Sequence, residues 1–292
     1  MPKFSTLRVR WFDFLVFSNT FIALCAVAQG WLTYMLLDKP PNLEVLALLY
    51  FATAFVYNAQ AVLDKIPKGG TSVYYRIDWL IRHRRMIRIL SFIAVGCVLV
   101  AGLFLQKDTW VALLVTGILA IFYSFPLFKS GGLRQVPGLK LFLIAGVWAS
   151  ACVLIPYYES GASLETSKLL MLWLKRFLFV AAITLPFDIK DIGTDRSWGL
   201  VTLATRLGAR GACLLALFFL VAYVVLLWGF HLPGQPASFY GLLITALLAA
   251  VLILYSLKQR KDFFYLFIFD GILLFQPLIV IVSRLIAPEV SS

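Results

Sequence analysis

The chain has 292 residues, 62% of them hydrophobic and only 14% charged, with a net charge of +12. Soluble domains are about half apolar and a quarter charged, and the mean hydropathy here is +0.91, so a water-soluble fold is excluded and an integral membrane protein is expected. In such a protein basic residues report topology and contact with anionic lipid, and nucleic acid is not expected as a partner.

The first ten residues, MPKFSTLRVR, are basic, but the apolar run behind them is long enough to span and has no clear small-residue cleavage site. A span needs about 20 mostly apolar residues. Nine stretches qualify: 12–37, 43–63, 87–106, 109–127, 139–156, 168–187, 210–230, 237–257 and 263–286. In lipid each must satisfy its own backbone hydrogen bonds, which makes them helices, and the alternation of a membrane barrel is absent. The fold class is therefore all-α, a polytopic bundle of nine transmembrane helices. No long polar segment leaves room for a second domain, so residues 1–292 form one membrane domain.

Nine spans place the N-terminus and the loops after spans 2, 4, 6 and 8 on one side, and that side receives 20 of the 26 Lys and Arg. This bias puts the N-terminus in the cytoplasm. Two loops on that side are longer than the rest, about 64–86 and 188–209. Cys25, Cys97, Cys152 and Cys213 lie singly in apolar runs without metal-ligand spacing, and read as small core residues.

Span 2 ends in YNAQAVLDKIPKGG, which carries Asn58, Gln60 and Asp64, and YYRIDWLIRHRRM follows with Asp78 and a set of arginines. These arginines either meet a bound anion or report topology and lipid. Span 6 opens with Lys175 and Arg176, for which snorkelling to the outer interface is the expected arrangement. Asp270, about 13 Å into the last span, is expected to face the bundle interior.

The stretch after span 6, PFDIKDIGTDRSWGLVTLATRLG, holds Asp188, Asp191 and Asp195 within eight positions, in a chain with only 14 acidic residues. If the helix continues past the membrane, steps of three and four place them within an arc of roughly 60°. Three like charges on one face call for a cation. Mg²⁺ suits carboxylate oxygens, typically takes one or two of them, and shares its other positions with phosphates and water. A solvated acidic turn is the bland alternative, which the negative end of a helix disfavours.

DIKDIGTDRSWGLVTL resembles the second aspartate-rich motif of the UbiA-type intramembrane prenyltransferase superfamily, D-x-x-D-x-x-x-D-R-x-x-G-x-x-T-L, through Asp188, Asp191, Asp195, Arg196, Gly199, Thr202 and Leu203. YSFPLFKSGG, Tyr123 to Gly132, is similar to the family's Tyr–Ser/Thr–x–Pro–Leu–x–Lys stretch. The resemblance implies a bundle around a central cavity, capped by the two long loops. It also implies Mg²⁺-dependent transfer of an isoprenoid from a polyprenyl diphosphate to an aromatic or otherwise apolar acceptor. It casts Asp188, Asp191 and Asp195 as metal ligands. Asn58, Tyr123, Lys129, Arg134, Lys190 and Arg196 become candidate diphosphate contacts. A prokaryotic inner membrane is the expected location.

The first motif of that family, N-D-x-x-D-x-x-x-D, is degraded. Asn58 matches, but Ala59, Val62 and Ile66 replace the three aspartates, and Asp64 is out of register by two. Asp64 either reaches the metal through an unwound helix end or sits at the surface. The alternative function is a catalytically silent relative that binds isoprenoid lipid or scaffolds a membrane complex. Coupled transport is disfavoured because the polar clusters gather at one face rather than at mid-membrane.

Overall fold

A computed structural model of the chain describes residues 11–63, 75–124, 138–197, 199–229, 236–258, 260 and 262–286. Every regular element among them is a helix. We number these α1 (Trp11–Phe17), α2 (Thr20–Leu36), α3 (Leu43–Leu63), α4 (Tyr75–Arg82), α5 (Arg84–Gly102) and α6 (Lys107–Ser124). They continue as α7 (Leu139–Glu159), α8 (Thr166–Ser197), α9 (Leu203–Gly229), α10 (Pro236–Tyr255) and α11 (Phe264–Ile286). Seven of the described helices are long and apolar enough to cross a membrane, or eight if α1 and α2 form one span. The expected span 109–127 corresponds to α6, and its expected end lies outside the described residues.

Two differences from the expected elements bear on the site. The first span is not one straight helix, because α1 and α2 meet at an angle of 61°. The bend falls at Asn19, whose φ of 60° is left-handed, a conformation that Asn tolerates better than most residues. The second expected cap loop begins as helix. Nothing between Asp188 and Ser197 breaks the pattern, so α8 runs on until Gly199, at φ 68°, turns the chain.

Helices adjacent in sequence are largely adjacent in space. α2 packs on α3, α3 on α5, and α6 through α11 follow as neighbours, until α11 returns to α2. The bundle closes on itself. Its main core is shared by α2, α7, α8, α9, α10 and α11 and is built from residues such as Phe179, Leu185, Ala216 and Phe269. A smaller cluster under α3, α5 and α6 includes Tyr34, Leu48 and Ile155. Large apolar side chains left exposed, among them Phe92, Leu99, Leu214, Phe218 and Val251, suit contact with acyl chains.

Without a hydrophobic driving force between helices in lipid, close packing depends on small residues. Gly241 of α10 is such a contact: a Cβ there would lie 2.8 Å from the Cα of Val280 on α11. Overpacking of this kind typically costs about 1–3 kcal/mol. Gly241→Ala is therefore expected to lower the thermal unfolding midpoint in detergent. Gly146→Ala, where a Cβ meets nothing within 4 Å, should leave it equal or higher.

Candidate functional site

The continuation of α8 stacks Asp188, Asp191 and Asp195 along one helical face. Asp188 is 3% exposed and Asp195 is also buried, whereas the side chain of Asp191 is 43% exposed. Two of the three carboxylates are thus withdrawn from solvent and the middle one is open to it. Pro186, inside the helix just before them, leaves the Ala182 carbonyl without its usual backbone donor.

Among the described residues, Lys140 and Lys190 bring positive charge to this face. Lys140, in the first turn of α7, places its Nζ 2.6 Å from Asp188 Oδ1. Lys190 Nζ lies 3.2 Å from Asp191 Oδ1 and 2.9 Å from Oδ1 of Asp262, which precedes α11. The same ammonium sits 5.7 Å from the ring centre of Tyr265. Beneath the charges lie aromatic rings: Phe187 packs against Tyr265 and Phe269, and Phe12 and Phe21 both pack on Phe267.

Asn58, near the end of α3, is buried and accepts a hydrogen bond from Asn19 Nδ2 at 2.8 Å, fixing α3 to the bend between α1 and α2. Arg196 is exposed and turns toward the next helix, donating to the Thr205 carbonyl at 3.4 Å. Tyr123 falls in the last turn of α6, with its side chain outside the described residues. Asp64, Lys129 and Arg134 also lie outside them. Arg82, Arg84, Arg85 and Arg88 are exposed, and His83 stacks on Trp79.

Half of the aspartate-rich stretch has a folding role. The Leu200 amide bonds the Asp195 carbonyl at 2.8 Å around Gly199, which ends α8. Thr202 then caps α9. Its hydroxyl accepts from the Thr205 amide at 3.2 Å, and its own amide donates to the Thr205 hydroxyl at 2.8 Å. This reciprocal arrangement is the logic of a capping box. Gly199 and Thr202 thus hold the turn.

Lys140 and Asp262 were not anticipated as site residues. In sequence Lys140 is one more of the basic residues expected to share a side of the membrane, and its partner stands 48 positions away. Lys175 and Arg176 depart from expectation more sharply. They do not snorkel to an interface but are buried, at 8% and 5% exposure. Arg176 is drawn inward by Thr33 of α2 and Gln276 of α11, which accept from its guanidinium at 3.4 and 3.5 Å.

Among the described residues, no three His, Cys, Asp or Glu side chains converge on one point as a metal cage would require. Mg²⁺ rarely uses such a cage, since it dehydrates reluctantly and relies on one or two carboxylates plus phosphate and water. The donors here fit an ion shared with a ligand, Asp191 being the most accessible and Asp188 already engaged by Lys140.

No family profile and no curated protein sequence matches the chain. Solved structures do. A UbiA homologue from Archaeoglobus fulgidus bound to GPP and Mg²⁺ superposes with a TM-score of 0.65 at 14% identity, over 93% of this chain and 98% of that one. The apo UbiA homologue from Aeropyrum pernix K1 gives 0.57 at 18% identity, over 90% and 97%. A digeranylgeranylglyceryl phosphate synthase gives 0.54 at 15% identity, over 94% and 96%. The chain therefore has the UbiA-type prenyltransferase fold. It is an integral, multi-pass membrane protein.

Removing one partner of a buried ion pair is strongly destabilising, whereas replacing both with apolar groups is often nearly neutral. Lys140→Met is accordingly expected to lower the unfolding midpoint by several degrees. The double variant Lys140→Met/Asp188→Leu should recover most of that loss in the same thermal scan.

Proposed function

We propose that the protein is a Mg²⁺-dependent intramembrane prenyltransferase that takes a polyprenyl diphosphate and transfers its isoprenoid to an apolar acceptor. The observation that carries this reading is the uninterrupted α8, which sets Asp188, Asp191 and Asp195 on one face at the end of an apolar bundle. A UbiA homologue of the same fold has been solved with GPP and Mg²⁺, which supports the same substrate class here. The basic bias of the sequence argues that this end faces the cytoplasm.

The layout matches the chemistry of such a donor. Its head is highly charged and its tail wholly apolar, so it belongs where polar groups meet a greasy interior. Asp191 and Asp195, with Asp188 behind them, would hold Mg²⁺, and Asp64 is a further candidate ligand. Bound there, the ion supplies Lewis-acid stabilisation to the charge that builds on the departing diphosphate. Lys190, and Lys129, Arg134 and Arg196 from the same side, would add cationic contacts to the phosphate oxygens. Asn58 and Tyr123 would border the head group. In the overall reaction the C–O bond to diphosphate breaks, a bond from the acceptor to that carbon forms, and the acceptor gives up a proton.

A second reading is a silent relative that binds isoprenoid lipid or scaffolds a membrane complex. One observation favours it: Ala59 and Val62 stand where the family's first motif has carboxylates, while Lys140 and Lys190 already neutralise part of the second. The two readings part on product. The enzyme releases diphosphate from a labelled prenyl diphosphate in an acceptor- and Mg²⁺-dependent manner, and EDTA abolishes the release. Asp191→Asn should reduce turnover by about 10²–10³-fold, the usual scale for losing an electrostatic contact to the transition state. Undiminished turnover in Asp191→Asn would remove the site assignment, and binding without release under every acceptor would favour the silent relative.

A further inference from the structure

A second polar constellation lies in the other half of the bundle, and the proposed transfer reaction makes no use of it. Arg176 and Lys175 are buried on α8, twelve residues before Asp188, which is about 18 Å along the helix axis. They line an open pocket. Ser238, Gln276, Phe179 and Leu242 form parts of the wall.

The charge on Arg176 is hard to accommodate there. A guanidinium does not give up its proton in a protein, and a charge inside the apolar part of a membrane protein is expensive unless it is paired. Among the described residues Arg176 makes no ion pair. Its two hydrogen bonds are long and run to neutral groups, Thr33 Oγ1 and Gln276 Oε1. Neither acceptor carries a compensating negative charge: Thr33 Oγ1 also donates to the Cys152 carbonyl, and Gln276 Oε1 is shared with Gln29. A fork of N–H donors beside a second cation, at the wall of a pocket whose other lining is mostly Leu and Phe with Tyr223, Ser238 and Gln276, fits an oxyanion attached to an apolar chain.

We infer that this pocket binds the phosphate or carboxylate head of an anionic amphiphile, through Arg176 and Lys175, at a site separate from the aspartates of α8. The bland alternative is that Arg176 only bolts α8 to α2 and α11.

The test uses the full chain in phosphatidylcholine nanodiscs with EDTA present, so that no Mg²⁺ site contributes. Dodecyl phosphate is the probe, dodecanol the uncharged control of equal chain length, and tryptophan emission the readout. Dodecyl phosphate should bind the wild type at least tenfold more tightly than dodecanol does. Arg176→Met and Lys175→Met should each weaken it at least tenfold and leave dodecanol unchanged. Lys175→Met keeps the bonds from Arg176 to Thr33 and Gln276, so it decides the matter if Arg176→Met fails to fold. Equal binding of the two probes, or undiminished phosphate affinity in the variants that fold, overturns the inference. Competition by millimolar inorganic phosphate would show that a free oxyanion suffices. Failure to compete would show that the head group must arrive on a lipid chain, and either result supports the site.

Discussion

Carboxylates at the end of an oily bundle repel one another and are reluctant to leave water, so the rest of the site is arranged around their charge. The protein meets part of that demand itself. Lys140 crosses from α7 to Asp188, the most buried of the three, and Lys190 links Asp191 to Asp262 ahead of α11. These two lysines tie three helical elements to one face and leave Asp191 half open. Under the proposed function, a divalent ion brought in with a phosphate head would add further positive charge at this face.

Much of this was legible in the sequence, and the reasons differ from residue to residue. The helices were readable because lipid leaves the backbone few alternatives, although among the described residues seven, or eight with α1 and α2 joined, rather than nine are long and apolar enough to cross a membrane. The shared face of the aspartates followed from helical periodicity once α8 was allowed to run on to Ser197, through Pro186 and Gly193. The bend at Asn19 was hidden. It depends on a side chain that finds Asn58, 39 positions away, and local pattern carries no trace of such a meeting. Lys140 was hidden for the same reason. Gly199 and Thr202 carry the opposite lesson, since residues recognised through a motif for their chemistry prove to stop one helix and start the next.

The reading of Lys175 and Arg176 went astray because position along a helix says how deep a side chain lies but not which way it faces. Both lie early in α8, where an interface is within reach of a long side chain. Thr33 and Gln276 offer acceptors on the inward side instead, and the bundle turns Arg176 toward them. Polar groups are consequently found in both halves of the bundle, with the anionic face at one end and the cationic pocket toward the other.

Diffraction from crystals grown with Mn²⁺ and a prenyl diphosphate, with the metal located by its anomalous signal, tests the central claim most directly. The account predicts a peak within about 2.0–2.3 Å of a carboxylate oxygen of Asp191 or Asp195 and of a diphosphate oxygen, close to Mg²⁺-type distances. Metal and diphosphate bound together away from the α8 carboxylates would contradict it.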